Sequence, residues 1–198
     1  MDLNTITDVV RRPPDRPGAQ WREGDAWLAG GTWLFSDQQP AGPMITMTVA
    51  LEATYTLWAA DGSERTVDAA DFVTGNHENV LAPGEILRRI DIPVSALRKQ
   101  HAHRRFTLTR LGRSTLFMIG TRSPGADDLL LTITAGTTRP IRFAFDAVPD
   151  AEALQQRIDA LPDDVWFDDP NGTPDHRRHL AKHFAEEIRT ELAAGDRR

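Results

Sequence analysis

The chain has 198 residues, of which 40% are hydrophobic and 26% charged, with 13 Pro, 14 Gly and no Cys. This is globular composition, neither disordered nor collagenous nor membrane-spanning, and it fits one or two small domains. Twenty-three bases against 29 acids give a net charge of -6, so the basic face of a nucleic-acid binder is not expected. Without cysteine the chain holds no disulfide, Cys-ligated zinc, iron–sulfur cluster or thiol nucleophile, and redox chemistry would need a borrowed cofactor. The start, Met1-Asp2-Leu3-Asn4-Thr5, has neither a basic stretch nor an apolar run, which predicts no signal peptide, no membrane and a cytoplasmic address.

Residues 11–24 hold three prolines and two glycines and read as an irregular lead-in. The apolar run Ala26-Trp27-Leu28-Ala29 stops at Gly30-Gly31, and Thr32-Trp33-Leu34-Phe35 resumes, a pattern of strand, glycine turn and helix start. A loop over Ser36–Pro43 leads to Met44–Ala53, read as a short buried helix although Ile45, Thr46, Thr48 and Val49 are β-branched. Thr54–Trp58 alternates as a strand, Asp61-Gly62 is a hairpin turn, and Arg65-Thr66-Val67 returns. Ala69–Phe72 and Asn76–Pro83 read as loops, and Glu85–Ile92 favours a strand ending before Pro93.

Ser95–His103 reads as a basic, polar connector, and the domain boundary is placed near residue 100, giving units 1–100 and 101–198. Four strands are predicted beyond it, at Phe106–Leu108, Leu116–Ile119, Leu129–Ile133 and Ile141–Phe145. Asp150 is the expected N-cap of a helix carrying Leu154, Ile158 and Leu161. Thr173-Pro174 opens a second helix with Leu180, Phe184, Ile188 and Leu192 along one side.

The first chemically interesting place is Gly30-Gly31-Thr32, because glycines remove the Cβ atoms that would hold a phosphate away from main-chain N–H groups. No Gly-x-Gly-x-x-Gly, Gly-Lys-Ser/Thr or Gly-x-Ser-x-Gly sequence occurs, so Rossmann, P-loop and hydrolase-elbow readings fail. His176, His179 and His183 fall within about 60° on a helix, but Arg177, Arg178 and Lys182 lie among them and the expectation is solvated histidines rather than a metal site. His101 and His103 are expected to face water as well. Asp127-Asp128, Asp163-Asp164 and Asp168-Asp169 neighbour Pro or Gly, where turn chemistry accounts for them. Trp21, Trp27, Trp33 and Trp58 are expected mainly in the core.

Read together, Trp27–Leu34, Asp61-Gly62, Ala70–Gly75, Leu81–Leu87 and Ile90–Pro93 resemble the FAD-binding (medium) subunit of the molybdenum hydroxylases, the xanthine dehydrogenase and carbon monoxide dehydrogenase flavoprotein family. The similarity continues through Arg104–Thr121 and Asp175–Leu180. It implies an α+β fold: a truncated FAD-binding domain followed by a small antiparallel sheet with helices. It also implies FAD as cofactor, with Ala29, Gly30, Gly31 and Thr32 on its diphosphate and Trp33 and Leu34 close by. The partners implied are a molybdenum-cofactor large subunit, an iron–sulfur small subunit, and NAD or another electron acceptor. The chain departs from the family by passing from Pro40 almost directly to Ala41-Gly42-Pro43, where a second glycine-rich segment is expected. Pro43 stands where many members carry an aspartate. A flavin-free assembly or interaction module is the alternative reading.

Overall fold

The computed structural model describes residues 47–76, 78–109 and 112–194. A helical turn at 47–50 (α1) precedes strands β1 (Thr54–Trp58) and β2 (Glu64–Asp68). Gly62, at φ 86°, takes the left-handed conformation that the tight turn between them requires, and the Asp61 carboxylate accepts from the Ser63 amide at 2.9 Å. β1 is the centre of a three-stranded antiparallel sheet in the order β2-β1-β5, with β5 at Ile86–Asp91. The expected strand, turn and return all lie where the alternation puts them.

Ala69–Phe72, expected as a loop, is one turn of helix (α2). Its cause is Asp68, which ends β2 and caps the turn by accepting from the Ala70 amide at 2.8 Å. Strands β3 (Val73–Gly75) and β4 (Glu78–Asn79) then form a short hairpin, of which β4 lies inside Asn76–Pro83, also read as loop. A first core gathers Val49, Ala53, Tyr55, Leu57, Ala69 and Phe72, with the Tyr55 and Phe72 rings edge to face at 5.1 Å.

The supposed connector 95–103 is ordered as a 3-10 turn over Ala96–Arg98 and the first half of β6 (Gln100–Thr107). Polar side chains hide this strand from pattern reading: Ala102 is buried while His101, His103 and Arg105 are exposed. β6 is an edge strand, where such residues discourage pairing with another chain. It starts a four-stranded antiparallel meander with β7 (Ser114–Arg122), β8 (Leu129–Ala135) and β9 (Ile141–Phe145). The four predicted strands are all present.

Helix α3 (Ala151–Asp159) begins at Asp150, which accepts from the Ala153 amide at 2.8 Å. Helix α4 (Pro174–Ala194) buries Leu180, Phe184, Ile188 and Leu192, which join Leu116, Met118, Leu131 and Ile133 in a second core. It lies tight against the sheet at Gly120, where an added Cβ would stand 2.3 Å from Ile188 and 3.0 Å from Leu131 of β8. This also fixes the sheet's sides: Gly120 faces α4, so its neighbours Ile119 and Thr121 face the other way.

Arg177, which lies among the solvated helical histidines in sequence, turns inward. It is 2% exposed, donating to the carbonyls of Gly172 at 3.0 Å and Thr115 at 2.8 Å and pairing with Asp169. It ties the first turn of α4 to the start of β7, and Thr115 in turn donates to the Asn171 carbonyl at 2.7 Å.

Gly120→Ala is expected to destabilise the fold by about 1–3 kcal/mol, read as a lower urea midpoint with an unchanged m-value. Arg177→Met leaves the Thr115 and Gly172 carbonyls without their donor and is expected to cost about 1–3 kcal/mol in the same measurement. A loss under 1 kcal/mol would mean that Arg177 is not a structural tie.

Candidate functional site

Ala29, Gly30, Gly31, Thr32, Trp33 and Leu34, together with Pro43, Trp21 and Trp27, lie outside the described residues. The structure describes the sheet that follows them and its turns. The turn carrying Ala82, Pro83 and Gly84 is held by Glu85, which accepts from the Ala82 amide at 2.7 Å and from Arg65 Nε and Nη2 at 2.8 and 2.7 Å. Arg65 also donates to the Val80 carbonyl at 2.6 Å, so one guanidinium closes both ends of the 80–85 segment onto β2. Such fork-shaped pairing is the geometry in which arginine binds a carboxylate most firmly. The Arg65 side chain, then the Ala82 amide, hold the Glu85 carboxyl down at about 2. The pairing was not anticipated, because residues 20 apart carry no periodic signal.

Trp58 is half-buried. Its indole N–H donates to Glu64, and Arg88 stacks over its ring at 4.3 Å, so one face is occupied by the protein itself. The helical histidines are exposed as expected. His176 meets the edge of Phe106 at 5.7 Å, and His183 Nε2 lies 3.6 Å from Glu187. Among the described residues no group of three or more His, Cys, Asp or Glu side chains could hold a metal ion. The acidic pairs serve turns and ion pairs. Asp128 accepts from Ser123 N and Oγ at 2.8 and 2.7 Å, Asp127 meets Arg122 at 2.7 Å, Asp163 meets Arg178 at 2.5 Å, and Asp169 closes an Asx turn onto Asn171 at 2.8 Å.

The sheet face turned away from α4 carries an unusual feature. Thr121 and Thr132 are 1% and 0% exposed, yet neither hydroxyl has a hydrogen-bond partner. Ile119 pairs with Thr132 and Thr121 with Leu130, so the two threonines are diagonal neighbours on that face. Arg142, opposite Thr132, reaches Asp68 of the other sheet at 3.2 Å.

Because the Arg65 guanidinium lowers the Glu85 carboxyl from 4.5 to about 2, the stabilisation it supplies is complete above pH 4.5 and is lost as pH falls towards 2. Urea unfolding across that window should show a steeper decline for the native chain than for Glu85→Gln. Parallel curves would mean that the Arg65 contact does not fix this turn.

Residues 29–95 match the family model described as FAD binding domain in molybdopterin dehydrogenase. Among solved structures, the chain is similar to quinoline 2-oxidoreductase from Pseudomonas putida 86, with a TM-score of 0.62 and 21% identity over 77% of this chain and 56% of that one. A carbon monoxide dehydrogenase from Hydrogenophaga pseudoflava, in a form lacking the Mo-pyranopterin moiety of the molybdenum cofactor, gives 0.60 and 20% over 76% and 55%. The cyanide-inactivated Cu,Mo-CO dehydrogenase gives 0.61 and 22% over 78% and 57%. The chain thus spans a little over half the length of each. No curated protein matches it. Among the described residues no helix is long and apolar enough to cross a membrane. The chain carries the α+β fold of the matched quinoline 2-oxidoreductase and carbon monoxide dehydrogenase chains.

Proposed function

We propose that this chain is an FAD-binding electron-transfer subunit of a molybdenum hydroxylase, with residues 1–100 forming the flavin-binding unit and 101–198 the unit that follows it. The observation that carries the reading is that the family match opens at Ala29, the first residue of the glycine turn. In this reading the main-chain amides of Ala29, Gly30, Gly31 and Thr32 hold the FAD diphosphate, since two residues without Cβ atoms let the backbone approach an anion closely. Trp33 and Leu34 flank the nucleotide. When bound, FAD supplies the redox chemistry, and the protein supplies position and electrostatics. The chain has no cysteine, so iron–sulfur clusters feeding it would sit in a partner, with a molybdenum-cofactor large subunit as the second one.

The second reading is a flavin-free assembly module derived from the same family. It is favoured by the short passage from Pro40 to Pro43, which leaves room for only part of a cradle, and by a proline that offers neither a carboxylate nor an N–H.

Absorbance of the purified full chain, followed by titration with FAD, decides between them. The proposal expects a flavin band or stoichiometric uptake, and Gly31→Trp is expected to abolish retention by filling the space beside the amides. A colourless chain that takes up no FAD but still co-purifies with a large subunit would establish the assembly reading instead.

A further inference from the structure

A groove of about 410 Å³ opens where α2 meets the lead-in to β9 and the end of α3. Its lining includes Ala70 and Asp71 on one side and Arg139, Arg142, Arg157 and Leu161 on the other. Three guanidinium groups thus edge one concavity in a chain whose net charge is -6. Two carboxylates oppose them. Asp71 lines the groove itself, and Asp68 lies 3.2 Å from Arg142 while also capping α2, so the local balance is three positive against two negative charges. Asp68 holds Arg142 in place. Arg139 and Arg157 are exposed and form no ion pair among the described residues.

Two unpaired cations beside a third, in a concave wall that concentrates their field, form a site that gains stability when an anion enters. Guanidinium groups present forked donors that match tetrahedral oxyanions. The volume lies within the range of small-molecule pockets, and Asp71 at its edge works against an extended polyanion such as a nucleic-acid backbone. From this we infer that the groove is a binding site for a single phosphate group, presented as inorganic phosphate or as a small phosphate monoester. The site does not depend on the flavin reading, because it is built from α2, the lead-in and first residues of β9, and the end of α3 with the two residues after it.

The test is calorimetric titration of the full chain with inorganic phosphate and with adenosine monophosphate, at ionic strength matched by sodium chloride. Saturable binding of at least one probe is expected, and Arg139→Ala with Arg157→Ala should weaken it by about tenfold or more, the scale of a lost hydrogen bond to a charged group. Both side chains are exposed and unpaired, so the double variant should keep the native melting temperature. Tighter binding of adenosine monophosphate identifies an ester as the occupant; equal affinities identify phosphate itself. Heats indistinguishable from the chloride control, or unchanged binding in the folded double variant, would overturn the proposal. Absorbance of the same samples reads flavin content separately.

Discussion

The second half of the described chain depends on α4 lying against β7 at a position that has no side chain. With Gly120 facing Ile188 and Leu192, the helix sits deep enough for Leu180, Phe184, Ile188 and Leu192 to share one core with Leu116, Met118, Leu131 and Ile133. Burial of such side chains is worth about 1.5–3 kcal/mol each, so a helix lifted by the width of one methyl group would forfeit packing along its whole length. Arg177 completes the register by binding the Thr115 carbonyl. A buried guanidinium is costly unless its donors are matched, and here Nε, Nη1 and Nη2 each have a partner.

Asp68 plays the corresponding part between the two sheets. It terminates β2, caps α2 and meets Arg142 of β9, so a local cap and a long-range contact share one carboxylate. The family match ends at residue 95, just before β6 begins at Gln100. The Asp68 contact therefore joins the matched segment to the sheet beyond it. The arginine-lined groove opens beside this joint, and the orphaned hydroxyls of Thr121 and Thr132 lie on the same side of the four-stranded sheet as Arg142.

Periodicity made much of the fold legible. The β1–β2 hairpin, β5, the four strands of the meander and the caps at Asp150 and Thr173 follow from alternation, from Asp-Gly chemistry and from the 3.6-residue apolar stripe. Elements whose patterning is polar or very short were not legible in this way: the first half of β6, where only Ala102 turns inward, and α2, a single turn set by its cap. Gly30-Gly31-Thr32 lies outside the described residues, and the ordered set of motifs around it carried the family resemblance.

The amino-acid sequence by itself determined most local elements, the absence of cysteine chemistry and the family resemblance of residues 29–95, because these rest on side-chain period, residue inventory and short motifs. Only the tertiary structure decided which charged residues are buried ties and which are free. Arg177 is buried against Thr115 and Gly172 while the adjacent Arg178 pairs with Asp163, and Arg139, Arg142 and Arg157 are spread over 19 positions. What separates or gathers them is the direction each side chain takes once helix and sheet have packed, and that direction is set by contacts between residues far apart in the chain.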